Sequence, residues 1–269
     1  MKYCIGEFSA ILGITRDTLR LYEKHDIVTP VKDDFNSYRY FNDLDARDLL
    51  MSRWYRSLQI PLQEVADLMK HSSLDKITEK IDASRNNLEE EIKRGLVTLN
   101  KMVEIKSELD NLETSMYQCV LKHRPGLYRL KQTENNRLLK NEGLKGMVNT
   151  WMELLPFSFF CFRVEQSELS SGNKNAWDYS WGLTLTDVDA KRLDVELNDL
   201  VEYIPPAACI SSVIRVPHQE NITKRTLQFM FDYLEAAGYR VTGDIVGRII
   251  LTEKAETESR SYLEVNISV

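Results

Sequence analysis

The stretch TRDTLRLYEKHDIV, Thr15 to Val28, decides how the N-terminal region is read. Thr15 is a residue type that accepts a hydrogen bond from the free amides at a helix start. Thr18 follows three positions later, where a full capping box would have Glu. Leu19 and Leu21 supply apolar contacts, which leaves Arg16, Asp17, Thr18, Arg20 and Tyr22 for solvent or a partner. Just upstream, Ile5, Phe8, Ile11 and Leu12 recur at helical spacing and Gly13 ends that run. A helix, a tight turn and a second helix with a polar face make a helix-turn-helix. The second helix of that motif can enter a DNA major groove, where Arg reaches guanine and Thr reaches base edges.

Working outward, VKDDFNSYRYFN (Val31 to Asn42) has turn formers in Asp33, Asp34 and Asn36, flanked by Val31 and by Tyr38, Tyr40 and Phe41. This predicts a small hairpin, or wing, with Arg39 between two tyrosines and suited to phosphate contact. NDLDARDLLMSRWYRSL then reads as a capped amphipathic helix. IPLQEVADLMK places Pro61 at another helix start, with Leu62, Val65 and Leu68 at helical spacing.

The whole chain has 269 residues, 43% hydrophobic and 28% charged, and a net charge of -6. That is a globular composition with room for more than one domain. No run of 18 apolar residues spans a membrane, and the N-terminus lacks a signal-peptide layout, so the chain reads as cytoplasmic. The acidic balance argues against a protein that coats nucleic acid indiscriminately, but not against one local contact surface. Cys4, Cys119, Cys161 and Cys209 form no C-x-x-C pair. With His25, His71, His123 and His218 also scattered, neither a metal site nor a disulfide framework is indicated, and no cofactor is expected. No Ser/His/Asp or Cys/His constellation and no Gly-rich phosphate loop is visible, so an enzyme is not expected.

Residues 3 to 70 resemble the DNA-binding domain of MerR-family transcription regulators. The likeness rests on the T-R-x-T-L-R-x-Y-E core at Thr15 to Glu23 together with the Y-R-Y-F wing at Tyr38 to Phe41. It implies DNA contacts from Thr15, Arg16, Thr18, Arg20 and Tyr22 on the recognition helix and from Tyr38, Arg39 and Tyr40 on the wing. Arg53 and Arg56 would add phosphate contacts. Two positions depart from the pattern: Ser37 stands where the family has Gly before the wing tyrosine, and Asp26 where Gly often follows the core. Residues 1–70 carry ten basic side chains (four Lys, six Arg) against eleven acidic ones. Contact must therefore come from placement, helix termini and DNA shape rather than bulk charge.

From Leu74 to Val120, Ile77, Ile81, Leu88, Ile92, Leu96, Leu99, Val103, Leu109, Leu112, Met116 and Val120 trace a narrow apolar stripe with steps near 3.5 residues. This predicts one long helix over residues 72–120 that pairs with a second copy. The resemblance implies an antiparallel coiled coil and a homodimer. Two recognition helices related by a two-fold axis call for a palindromic site.

Residues 121–269 alternate strand-like and helix-like stretches, an α+β pattern with an antiparallel sheet. YLEAAGYRVTGD (Tyr233 to Asp244) and the closing LEVNISV (Leu263 to Val269) resemble the GyrI-like effector domain of the multidrug-sensing, BmrR-like MerR branch. Metal-sensing branches carry cysteines at the start of the dimer helix, which HSSLDKI lacks, and a far shorter tail. Candidate pocket residues are Trp151, Phe157, Phe159, Phe160, Phe162, Trp177, Tyr179, Trp181, Tyr203, Phe229 and Tyr233, because aromatic faces attract organic cations. Trp177, Tyr179 and Trp181 are two apart and share one face of a strand. The resemblance places the functional carboxylate on Glu264, which alternation sets on the polar side of its strand, opposite Leu263, Val265 and Ile267.

The architecture expected is a winged helix-turn-helix domain (1–71), a dimerisation helix (72–120) and a GyrI-like effector domain (121–269). The function implied is a homodimeric, ligand-responsive transcription activator. It would bind a palindromic promoter and distort its overlong spacer for RNA polymerase when a lipophilic, often cationic, effector is bound. The alternatives are a small-molecule hydrolase working through Glu264, or a sequestering protein with a vestigial DNA domain.

Overall fold

The computed structural model describes residues 2–33, 38–70, 72–134, 137–169, 177–217, 222–254 and 259–269. The wing-turn positions Asp34, Asn36 and Ser37, together with His71 and His218, lie outside the described residues. The chain forms two compact units, 1–97 and 98–269. Among the described residues no helix is long and apolar enough to cross a membrane.

In the first unit, β1 (Tyr3–Cys4) leads into α1 (Ile5–Ile11) and α2 (Arg16–Lys24). Gly13 joins the helices at φ +65°, a left-handed conformation that suits glycine. The Thr15 hydroxyl accepts from the Thr18 amide at 3.1 Å, a cap that contributes about 1 kcal/mol. The burial of α2 corrects the sequence reading on two residues. Tyr22 is in the core at 7% exposure, whereas Leu21 is 45% exposed. Leu19 and Tyr22 stand three apart on one helix face and turn inward together, and Leu21 falls on the flank.

The strands β2 (Val31–Lys32) and β3 (Arg39–Phe41) pair antiparallel as the arms of the wing, and β1 joins β3 on its other edge. Then α3 (Asp43–Ser57) starts at a reciprocal cap. Asn42 accepts from the Leu44 amide at 2.7 Å, and Asp45 accepts from the Asn42 amide at 2.8 Å. After Pro61, α4 (Leu62–Lys70) packs Val65, Ala66 and Leu68 onto a core shared with Phe8, Leu19, Phe41 and Leu49.

The helix α5 (Leu74–Asp110) is long but stops ten residues before the expected end. Asn111 breaks the repeat, its side-chain amide donating to the Ser107 carbonyl at 2.8 Å. A short α6 (Leu112–Ser115) follows. Val120, expected on the helix stripe, instead opens β4 (Val120–Arg124), where it pairs with Ser211.

The second unit is built on one eight-stranded sheet. After β4 come β5 (Leu127–Lys131), the small hairpin β6 (Thr133–Glu134) and β7 (Arg137–Leu138), α7 (Glu142–Met152) and β8 (Phe159–Val164). Next are α8 (Gln166–Leu169), β9 (Ser180–Thr186), α9 (Asp187–Arg192), β10 (Val201–Ile204) and β11 (Ala207–Pro217). The unit closes with α10 (Gln228–Ala236), β12 (Ile245–Lys254) and β13 (Ser259–Ser268). The strand order is β10-β5-β9-β8-β12-β13-β11-β4, and its ladders are antiparallel.

Alternation along the strands gives this sheet two unlike faces. On one, Phe162, Ile210, Ile214, Ile245, Leu263, Val265 and Ile267 pack with Met230 and Leu234 of α10. The other carries a cross-strand row of Glu264, Arg248, Cys161 and Gly182. Gly182 is needed there, because a Cβ would clash with the Leu130 carbonyl and sit 3.0 Å from the buried Arg129 side chain.

Candidate functional site

The solvent side of α2 is polar. Arg16 and Arg20 are exposed, and among the described residues Arg20 pairs with Asp17, at 3.3 Å between two well-solvated side chains. The Thr18 and Thr15 hydroxyls bond each other at 2.8 Å, so both are held at the helix start. Arg16 lies over Gly6, where a Cβ would come within 2.9 Å of its guanidinium. Gly6 was not singled out from the sequence, although it sets how closely Arg16 can approach α1. Tyr22 faces inward, so its ring supports the helix from beneath.

On the wing, Tyr38 is exposed and Arg39 is tied to Glu23 of α2 at 2.6 Å. Tyr40 is half-buried. On α3, Arg53 is exposed, while Arg56 donates to the Ile60 carbonyl at 2.8 Å and thereby holds the turn into α4. Arg16, Arg20, Tyr38 and Arg53 are therefore the predicted contact residues that reach solvent most freely.

The second site is a cavity of about 900 Å³ over the charged face of the sheet, within residues 98–269. Its walls come from the last turns of α5 (Lys101, Glu104, Glu108), from β4 and β5 (Lys122, Arg124, Leu127), and from Leu155, Pro156 and Phe159. Val246, Arg248, Glu264 and Asn266 complete it. Glu264 is buried and doubly paired. Arg248 donates to it through Nε at 2.7 Å and Lys122 through Nζ. Arg248 also bonds Glu108 on α5. Burial pushes the Glu264 pKa up, but Arg248 and Lys122 outweigh it and hold the carboxyl below its ordinary value. The resemblance placed the functional carboxylate on Glu264, where an unpaired charge would attract a cation. The structure instead gives it two resident cations.

Of the eleven predicted aromatics, all but Phe159 are placed elsewhere. Trp177, Tyr179, Trp181 and Phe229 pack in or against the core beside α10. Trp151, Phe157 and Phe162 are buried, while Phe160, Tyr203 and Tyr233 are exposed, and none of these lines the cavity. Trp177 and Tyr179 precede β9 rather than sitting within it. The aromatic that does line the cavity is Phe159, with the Arg248 guanidinium 5.8 Å from its ring centre. Its neighbour Phe160, also a candidate, falls on the other face of β8. A one-residue shift on a strand exchanges faces.

Residues 3–72 match the model of the MerR HTH family of regulatory proteins. The HTH-type transcriptional activator TipA of Streptomyces coelicolor is 31% identical over 75 residues, which cover 28% of this chain and 30% of TipA. An HTH-type transcriptional regulator of Pseudomonas aeruginosa, PA4778, is 30% identical over 128 residues, covering 47% of this chain and 92% of that protein. Among solved structures, EcmrR in its DNA complex aligns over 99% of this chain and 100% of its own, at 17% identity and a TM-score of 0.38. With the family model matched over residues 3–72 and PA4778 matched over 92% of its length, the chain belongs to the MerR HTH family of regulatory proteins.

Proposed function

We propose that this protein is a dimeric, ligand-responsive transcription regulator. The observation that carries the reading is the character of α2, which is capped by Thr15 and anchored by Leu19 and Tyr22, with Arg16 and Arg20 left in solvent. In this reading α2 enters the major groove of promoter DNA, and the wing and Arg53 hold phosphates. The exposed Leu88, Ile92, Leu96, Leu99 and Val103 on α5 are the surface that a second copy covers, which calls for a palindromic site.

The cavity takes a lipophilic effector, and a cationic group on it reaches Glu264 by displacing the half-exposed Lys122. The Glu108–Arg248–Glu264 chain links that event to the end of α5. The effector activates by binding the DNA-distorting state more tightly than the resting one, which presents an overlong spacer to RNA polymerase in usable form. A ligand with equal affinity for both states shifts nothing.

The test is a gel shift on DNA from the protein's own upstream region, followed by run-off transcription with a panel of organic cations. Arg16→Ala is expected to weaken binding by about tenfold or more, the scale of one lost guanine contact. Unchanged affinity would remove α2 from the interface. Glu264→Gln is expected to weaken cationic effectors far more than neutral ones.

A further inference from the structure

We propose that the cavity holds an anion subsite at Arg124, and that the effector is an amphiphile carrying a carboxylate or similar organic anion. The inference rests on the reading of this cavity as the effector site and adds a chemical requirement to it.

Three arginines of this unit, Arg124, Arg129 and Arg163, sit close enough to the buried thiol of Cys161 to act on it. Burial raises its pKa above the ordinary value, while the three guanidinium groups pull against that rise. Two of the three are neutralised by carboxylates. Arg129 bonds Glu202 at 2.8 Å, and Arg163 bonds Asp244 at 2.7 Å and approaches Glu202 at 3.7 Å. Arg124 is not. It is 5% exposed, lines the cavity, and among the described residues has no carboxylate within 4.0 Å.

The partners of Arg124 are two backbone carbonyls, Pro125 at 2.9 Å and Pro205 at 2.7 Å. A guanidinium has five N–H donors. The Nε hydrogen of Arg124 has no partner, and one hydrogen on each terminal nitrogen is left over. A buried cation without a counter-charge is unfavourable, and a planar fork of donors matches the two oxygens of a carboxylate. Asp187 lies beside Gly126 with one oxygen also unpartnered, but it is beyond ion-pair range of Arg124.

The apolar part of the ligand has its own wall in Leu127, Leu155, Pro156 and Phe159. The subsite is separate from Glu264. Arg124 pairs with Ala207 and Glu264 with Val213, six residues apart on β11, and the β4 side chain that bonds Glu264 is Lys122, two residues before Arg124.

The experiment is calorimetric titration of the full chain with three matched probes: 2-naphthoate, 2-naphthylmethanol and 2-naphthylmethylammonium. The wild type is expected to bind naphthoate about tenfold or more tighter than the alcohol, a difference of about 1.4 kcal/mol. In Arg124→Gln that gap closes, while the alcohol and the ammonium keep their wild-type affinities. If Arg124→Gln loses all three probes through misfolding, Arg124→Lys decides, because a retained cation keeps the naphthoate preference if the proposal is right. A wild type with no preference for naphthoate over the alcohol overturns the subsite and leaves the cavity as the effector site. A preference that survives Arg124→Gln, or one lost in a folded Arg124→Lys, also overturns it. Failure of all three probes to bind the wild type overturns the subsite and the effector-site reading together.

Discussion

The two faces of the eight-stranded sheet come from the same strands, yet they are held by opposite means. On β13, Leu263, Val265 and Ile267 turn to the face covered by α10 and are almost fully buried among aliphatic neighbours. Glu264 and Asn266, on the same strand, turn to the cavity, where Glu264 is held by Arg248 and Lys122. Burial of hydrocarbon is non-directional and grows with area. The charged face depends on a few geometrically specific pairs whose net stabilisation is small, because desolvation offsets attraction. The first face keeps the sheet folded, and the second is the more readily rearranged.

The sharpest break between the faces is expected from Ile267→Ala. Its side chain is fully buried in the apolar cluster, so truncation loses transfer energy and leaves a cavity, about 2–5 kcal/mol in all. The midpoint of urea unfolding should fall accordingly. A loss below about 1 kcal/mol would mean that this face collapses around the gap and is not tightly packed.

Glu264→Gln probes the other face and is expected to cost less at neutral pH, about 1–3 kcal/mol, because Arg248 keeps Glu108. Its signature is in acid. The Glu264 carboxyl is held below its ordinary 4.5 in the folded protein, so the unfolded chain binds the proton more readily. The stabilisation from this group is complete above about pH 4.5 and is lost as pH falls through the folded-state value. Urea titrations from neutral to acidic pH should show a steeper loss for the wild type than for Glu264→Gln. Parallel acid slopes would show that Arg248 and Lys122 do not hold the carboxylate in solution.

This contrast also explains what could be read from the chain alone. The Thr15 cap, the Gly13 turn and the Asn42–Asp45 cap were legible because each involves residues within a few positions of one another. Leu21 and Tyr22 were exchanged because a nine-residue helix has too few turns for periodicity to fix which stripe faces the core. Strand alternation did place Glu264 opposite Leu263 and Val265. What faces Glu264 was not legible, because Lys122 lies 142 positions away and is delivered by the pairing of β4 to β11. Trp177, Tyr179 and Trp181 do pack against one core, but the first two precede β9, so strand alternation was not what brought them together.

The smallest expected effect is that of Lys122→Met, and it measures how wet the charged face is. The Lys122 side chain is 48% exposed, and its partner Glu264 retains Arg248 when it is removed. Water and salt screen such a pair, so the change in unfolding free energy should be at most about 1 kcal/mol and should shrink further as salt is added. The double variant with Glu264→Gln separates the pair from its surroundings, since any departure from additivity is the coupling between the two side chains. A coupling of a few tenths of a kcal/mol leaves Lys122 as a displaceable lid on Glu264, the condition that a cationic effector needs. A salt-independent coupling of about 2 kcal/mol or more would mean that water is excluded around the pair. The charged face would then be as resistant to rearrangement as the apolar one, and a ligand could not open it at Glu264.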